Sequence, residues 1–304
     1  MFHVEQKTKK EIKFIDNCPV CENKDIKLYL KTKDYFLTKE EFNLVQCTAC
    51  SFIYTNPVPE INSLFEYYDS PEYSSHKLKK ANLFNFIYRE VRKLNLRNKY
   101  KIVTNYTAIG SILDVGCGTG ELLKYFREKG WKATGIEPVD SAREFAYENY
   151  KLNVYPENKL NHFKKEKFDV ITLWHVLEHV YNINERLEQL KKILNPDGYL
   201  VIAVPNIESY DSIHYGKYWS ALDVPRHLYH FSNETLKKLL NKHSFEVVSI
   251  YPMKFDSYYV SLLSERYIKK GLAYVRAFIN GYKSNKKASV SGNYSSMIFV
   301  VKQN

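Results

Sequence analysis

The chain has 304 residues, 44% of them hydrophobic, which is enough for one large domain plus a small one, or two of medium size, each with a real core. No run approaches the ~18 apolar residues that a membrane span needs, and the charged opening MFHVEQKTKKEIKFIDN lacks an apolar export segment, so a soluble, cytoplasmic protein is expected. The net charge of +11 is spread along the chain, which reads first as composition; a nucleic-acid or other anionic partner stays open.

The first element predicted is a metal knuckle pair. Cys18-Pro-Val-Cys21 and Cys47-Thr-Ala-Cys50 are two C-x-x-C motifs 25 residues apart. Each sets two thiolates on one tight turn, and two such turns complete a tetrahedral sulfur site of the kind Zn²⁺ prefers. All four positions are then filled by protein, so the metal is structural and its binding contributes folding energy. The segments IKLYLKT and FNLVQC between the knuckles alternate as short strands. A zinc-ribbon module is therefore expected over residues 1–62, bounded by Pro57 and Pro59.

Residues 63–108 are expected to be a helical linker or lid. Phe84, Ile87, Tyr88, Val91 and Leu94 keep helical spacing, most simply as a core-facing stripe. From residue 109 to 304 strands and helices alternate. SILDV, KATGIEP, LNVYPE, FDVITLW and PDGYLVIAVPN read as strands. GELLKYFREKG, SAREFAYENY (capped by Asp140 or Ser141) and INERLEQLKKIL read as helices. Ser232 caps the helix NETLKKLLNKH, and FEVVSIYP and SSMIFVVKQ are the last strands. Such alternation predicts a largely parallel sheet covered on both faces, with ligands at the carboxyl ends of its strands.

The first of these strands runs into LDVGCGTGE. Gly116, Gly118 and Gly120 sit where the backbone must turn sharply and approach a ligand. A dinucleotide fingerprint would carry its third glycine one place later, and Glu121 at the helix start would oppose a pyrophosphate. Asp114 suits a ligand bearing ammonium and sulfonium charges. Glu137, at the end of the second strand, is placed to accept both hydroxyls of a ribose.

Together, LDVGCGTGE, GIEP, FDVITLWHVLEHV and LNPDGYLVIAVPN resemble the motifs of class I S-adenosylmethionine-dependent methyltransferases, in order and spacing, from about Ser111 onward. Within that superfamily the chain resembles the branch near the ubiquinone-pathway O-methyltransferases. The resemblance implies a Rossmann-like α/β fold with a mostly parallel seven-stranded sheet and an antiparallel last strand. It implies that Gly116, Cys117, Gly118 and Gly120 border the methionine part of S-adenosylmethionine and that Asp114 orders the loop. Glu137 and Pro138 would line the ribose, and Leu173, Trp174 and His175 would follow the fourth strand beside the methyl group. Cys117 is read as a small turn residue, not a nucleophile.

His175, Glu178 and His179 spell H-x-x-E-H, the inverted motif of some zinc proteases. At the end of the fourth strand they would instead begin a short helical segment beside the cofactor, as catalytic, capping or divalent-ion-binding groups. Beyond the fifth strand, residues 207–231 carry His214, Tyr215, Trp219, Asp223, Arg226, His227, Tyr229 and His230. A loop here is expected to cover the methyl acceptor, together with Tyr67, Tyr68 and Tyr73. His227 is the preferred general base and His179 the second. Arg226 would pair with Asp223 or with an acidic substrate group. HLYHFS is similar to a segment of zinc-ribbon sugar C-methyltransferases, but Pro225-Arg226-His227 stands where those have His-Glu-His, so O-methylation of a sugar or phenol-like small molecule is preferred to C-methylation. The run TLWHVLEH replaces the N/D-P-P-Y/F run of base-amino methyltransferases; a zinc-bearing ribosomal RNA methyltransferase remains the rival reading.

Overall fold

The structure is a computed structural model that describes residues 11–68, 83–163 and 167–304, without the side chains of Phe65 and residues 83–89. Tyr73, and the Phe84, Ile87 and Tyr88 members of the expected helical stripe, lie outside what is described. The first unit is small. β1 (Ile12–Lys13) pairs with β5 (Val58–Pro59), and β2 (Ile26–Lys33), β3 (Glu41–Cys47) and β4 (Ile53–Thr55) form an antiparallel meander. Most of β2 is exposed, whereas β3 and β4 turn Leu44, Val45, Ile53 and Tyr54 inward. The helix Leu83–Thr104 then leads into the main sheet.

That sheet contains β6 (Ser111–Val115), β7 (Lys132–Ile136), β8 (Asn153–Tyr155), β9 (Phe168–Trp174), β10 (Leu194–Pro205), β12 (Phe245–Pro252) and β13 (Ser296–Gln303). Its seven strands lie in the order β12-β13-β10-β9-β6-β7-β8. The pairings from β8 through β10 are all parallel, and β13 runs antiparallel to both β10 and β12. The central strands β6, β9 and β10 are covered on both faces, which is why their sequences are near-continuous apolar runs rather than alternating ones. The covering helices show the expected periodicity. Glu121–Glu128 buries Leu122, Leu123 and Phe126, and Ile183–Ile193 buries Ile183, Leu187, Leu190 and Ile193. Ser232 caps Asn233–Lys242 in a reciprocal box with Thr235. One capping expectation fails. The helix Asp140–Tyr150 is preceded by Val139, with no side-chain cap, and Asp140 lies inside its first turn, where its charge complements the helix dipole and pairs with Arg143.

Two connections differ from a minimal sheet of this type. Between β10 and β12, β11 (Tyr229–His230) leaves the core and pairs antiparallel with β4, completing the small sheet as a fourth strand. Phe52, Tyr54, Tyr229 and Phe231 pack ring to ring across this joint. Cys18, Cys47 and Cys50 therefore share one continuous hydrophobic cluster with Leu113, Leu173 and Ile202 of the large sheet. Between β12 and β13, two helices that the sequence pattern did not disclose, Asp256–Ile268 and Ala273–Ser291, form a hairpin.

Candidate functional site

The loops that follow β6, β7, β9 and β10 emerge on one edge of the sheet, because these strands are parallel. After β6, Gly116 has φ +72° and a Cβ there would lie 2.5 Å from Val176 Cγ2, so only glycine fits. This places the β6 loop directly against the β9 loop. Gly118 also has positive φ (+54°), but a Cβ on it would meet nothing within 4 Å; its backbone faces open space beyond the strand ends. Gly120 closes the turn against Ala146 and Leu152. Cys117 Sγ packs toward Gly135, and burial, then the charges of Asp114 and Glu137, push its thiol well above the ordinary range. Its burial in the turn disfavours the thiolate.

Glu137 is buried behind this loop. Its Oε2 accepts from the Gly118 N–H at 2.8 Å and its Oε1 from the Val139 N–H at 3.0 Å. The loop and the carboxylate are thus held in register before any ligand arrives. Asp114 accepts from Thr172 Oγ1 at 2.5 Å, and burial raises its pKa to about 6. The carbonyl of Pro138 accepts from Arg143 Nη1. Leu173 points into the core, while Trp174 lies under the Lys99 ammonium, 4.2 Å from its ring centre. Burial lowers the Lys99 pKa.

The H-x-x-E-H residues do not form a protease helix, in which one continuous helix would align both histidines. The strand ends at Trp174, a single 3-10 turn spans Leu177–His179, and the next helix begins only at Ile183. Nor do the three side chains converge as a set. His175 adopts a left-handed φ of +56° and turns to Asp256, at 3.1 Å from Nε2, with Glu178 at 3.4 Å from Nδ1. Burial opposes its protonation, but these two carboxylates win and raise its pKa to about 10. A non-glycine residue held at positive φ marks a backbone that the surrounding structure over-determines. Asp256 begins one of the two undisclosed helices, and no sequence signal linked it to His175.

The partner of Glu178 and His179 comes instead from the insertion. Glu178, His179 and His227 each offer a ligand atom within 4.8 Å of the others. The His179 and His227 rings meet edge to face at 4.5 Å. The hydrogen bonds settle the tautomer of His227, whose Nδ1 lies 2.8 Å from the Ala221 carbonyl, whereas His179 Nδ1 is shared between the Arg226 carbonyl at 3.1 Å and the Tyr68 hydroxyl at 3.0 Å. A carbonyl only accepts, so His227 Nδ1 carries the proton and its Nε2 keeps its lone pair. Both Glu178 oxygens are buried and neither takes a well-aligned hydrogen bond among the described residues, although the His175 ring lies 3.4 Å from Oε1. Glu178 nevertheless stays below the ordinary carboxylate range: burial works against this, and His175, His227 and His179 outweigh it. Burial, reinforced by His227, lowers His179 to about 4. The cluster thus presents the Glu178 carboxylate and the His227 Nε2 lone pair as acceptors beside the His179 ring, suited to a substrate proton or a cation.

The small N-terminal sheet builds the wall of this cluster. Thr55 of β4 donates to the His227 carbonyl at 3.0 Å, its N–H bonds the Leu228 carbonyl, and its hydroxyl contacts His230 Nε2 at 3.2 Å. Arg226 is 1% exposed and bonds Asp223, Asp34 and the Tyr67 carbonyl, so it is consumed inside the protein and not offered to a substrate. Tyr68 OH reaches His179 Nδ1 at 3.0 Å, and Arg226 of the insertion donates to the Tyr67 carbonyl, so the segment before the core meets both the turn after β9 and the insertion. Trp219 and Tyr215 turn away, bonding Asp211 and Glu265.

The second set of metal-type ligands is the predicted one. Cys18, Cys21, Cys47 and Cys50 are unbridged, and their sulfurs all lie within 4.8 Å of one another, with Cys18–Cys50 and Cys21–Cys47 both at 3.5 Å. Tetrahedral bonds of ~2.3 Å would place sulfurs roughly 3.8 Å apart, so the cluster is compatible with zinc.

Sheet order, the glycine turn after β6 and the acidic residue after β7 define the class: the Rossmann-like fold of class I S-adenosylmethionine-dependent methyltransferases. A family model described as a methyltransferase domain matches residues 75–250, more than half of the sequence, and the chain belongs to that family. The ubiquinone biosynthesis O-methyltransferase of Haemophilus ducreyi is 37% identical over 106 residues, covering 31% of this chain and 45% of that protein. Its counterpart from Rickettsia conorii is 30% identical over 124 residues, covering 39% and 43%. The chain thus matches less than half the length of these curated relatives. Among solved structures, magnesium protoporphyrin IX methyltransferase from Synechocystis PCC 6803, with bound S-adenosylhomocysteine, has a TM-score of 0.51 at 13% identity, covering 80% of this chain and 99% of that one. Geranyl diphosphate C-methyltransferase from Streptomyces coelicolor A3(2) has a TM-score of 0.51 at 11% identity, covering 75% and 88%. At such identities the likeness shows the fold alone.

Proposed function

We propose that the protein is an S-adenosylmethionine-dependent methyltransferase that methylates a hydroxyl group of a small molecule, such as a sugar or a phenol-like metabolite. The observation that carries this reading is the contact between Gly116 and Val176, which joins the glycine loop to the turn bearing Glu178 and His179. S-adenosylmethionine supplies a methyl group on a sulfonium. Gly116, Cys117 and Gly118 border its methionine part, with Asp114 ordering the loop and Gly120 closing it. Glu137, held by its two backbone N–H donors, has carboxylate lone pairs left to accept from ribose hydroxyls beside Pro138, and Leu173, Trp174 and His175 flank the transfer site. His227 Nε2 accepts the acceptor's hydroxyl proton, and His179 is the second candidate. The Nδ1–H bond to Ala221 keeps His227 in the tautomer that this task needs. Cys18, Cys21, Cys47 and Cys50 hold one structural Zn²⁺, which steadies the sheet that carries Thr55. The curated relatives' names, ubiquinone biosynthesis O-methyltransferases, support a small acceptor; a ribosomal RNA acceptor or carbon methylation is the alternative.

Two measurements test this. Glu137→Ala is expected to weaken S-adenosylmethionine binding in calorimetry by roughly 1.5–3 kcal/mol, the scale of hydrogen bonds to a charged group. His227→Ala is expected to lower turnover roughly 10²–10⁴-fold with cofactor affinity unchanged. With radiolabelled cofactor and an RNA-free cell extract, label is expected in a small molecule; label found only in ribosomal RNA defeats the acceptor assignment. A second reading uses the same cluster: Glu178, His179 and His227 would hold a divalent cation that activates the hydroxyl. Activity lost on chelation and restored by added metal, with zinc in the cysteine cluster unchanged, selects it.

A further inference from the structure

The helix Ala273–Ser291 is inside out. The face it buries against the helix Asp256–Ile268 is small and polar: Ala277, Asn280, Gly281, Ser284 and Ala288. Gly281 allows this close approach, since a Cβ there would lie 2.7 Å from the Tyr258 ring. At 3.6 residues per turn, Val275, Phe278, Ile279, Tyr282 and Val290 fall on the opposite side, in a stripe of about 120°. All five are exposed, Phe278 at 66% and Val290 at 91%, and Leu272 extends the stripe at 77%. The helix is ordered by its poorest apolar face and turns its richest one to solvent.

The charge around this stripe is one-sided. From Arg266 to the last residue the sequence has eight Lys or Arg and no Asp or Glu. Arg276 pairs with Glu265, but Arg266, Lys269, Lys270, Lys283, Lys286 and Lys287 form no ion pair among the described residues. A basic helix with an aromatic and aliphatic stripe is the pattern of a helix that lies in a membrane interface. A second copy of the chain fits poorly, because a two-fold interface would set this all-cationic border against itself. A nucleic acid would engage the lysines but leave Val275, Ile279 and Val290 without a partner.

We propose that the hairpin is a docking surface for an anionic lipid bilayer, with Phe278, Ile279 and Tyr282 inserted among the acyl chains and Lys283, Lys286 and Lys287 on the headgroups. The protein binds peripherally, since no helix among the described residues is long and apolar enough to cross a membrane. The paired helix Asp256–Ile268 begins with the residue that holds His175, so the membrane face adjoins the site after β9. The inference is independent of the reaction, and its test needs neither cofactor nor acceptor.

The test is flotation of the full chain with vesicles of phosphatidylcholine alone and of phosphatidylcholine mixed with phosphatidylglycerol. The wild type is expected to float only with the mixed vesicles, and high salt is expected to release it. Replacing Lys283, Lys286 and Lys287 together by Gln is expected to lower partitioning about 100-fold, at roughly fivefold per lysine near a charged surface. Phe278→Asp with Ile279→Ser is expected to abolish it. These residues are exposed, so far-ultraviolet circular dichroism of both variants should match the wild type, while loss of the Phe278 ring, 5.6 Å from that of Tyr258, changes only the near-ultraviolet signal. Failure of the wild type to float, or unchanged flotation of the variants, overturns the proposal. So does a wild-type dimer that Phe278→Asp converts to monomer, which assigns the face to a second copy, or RNA binding that the lysine variant alone removes.

Discussion

Replacing Arg226 by Met tests the joint between the N-terminal unit and the catalytic-type insertion. The guanidinium bonds both Asp223 oxygens from Nε (3.1 and 3.0 Å), Asp34 from Nη2 (2.9 Å) and the Tyr67 carbonyl from Nη1 (2.9 Å). Removing one partner of a buried ion pair costs about 3–5 kcal/mol, chiefly because the other charge is stranded. Here the stranding is incomplete. Asp34 keeps three backbone N–H donors, from Phe36, Leu37 and Thr38, plus the Thr38 hydroxyl, and Asp223 is 22% exposed and can rehydrate. The loss should therefore sit at the low end, about 3 kcal/mol, read as a lower urea midpoint at unchanged m-value. Arg226→Lys should recover only part of it, because a point charge cannot match two carboxylates and a carbonyl with one planar fork. Asp34→Asn combined with Arg226→Met should cost less than the two added, by roughly 0.5–3 kcal/mol. A loss below about 1 kcal/mol for Arg226→Met, or strict additivity, would show that the joint rests on the Phe52–Tyr229 packing and not on this ion cluster.

Three further outcomes are expected. Cys47→Ser should lose about one zinc per chain by elemental analysis and lower turnover through Thr55 and His227, while cofactor binding persists; a wild type purified without chelator and free of metal would refute the zinc assignment. Gly116→Ala, with its clash on Val176, should cost several kcal/mol of stability, whereas Gly118→Ala should cost only about 1–2 kcal/mol for its left-handed backbone yet still weaken cofactor binding; equal stability losses would contradict the geometry. Burial, then His227, lowers His230 to about 3 in the fold, so the unfolded chain takes up its proton first on acidification, and stability present above pH ~6.5 is lost toward pH 3. This one group should contribute about 2 kcal/mol of loss between pH ~6.5 and 5, and His230→Asn should flatten the denaturation profile over that range.

The sequence by itself determined the sheet and the two ligand-type loops. Apolar runs such as SILDV and LVIAV, short and rich in β-branched residues, read as strands covered on both faces, and Gly116 and Gly118 announce positive φ because no other residue adopts it cheaply. The cysteine pairs were equally legible, since their spacing alone sets four sulfurs on two turns. Tertiary structure decided what lay beyond local geometry. His227 joins Glu178 and His179 only because β11 leaves the core to pair with β4, an exchange of strands between units that no periodicity records. His175 looked like a member of that set by spacing, yet a left-handed backbone turns it to Asp256, 81 residues away in sequence. The hairpin from Asp256 to Ser291 escaped detection for a plainer reason. Its buried face is built of Ala, Gly, Ser and Asn, so the apolar stripe that usually betrays a core-facing helix points outward, and only the packing against Tyr258 reveals which side is inside.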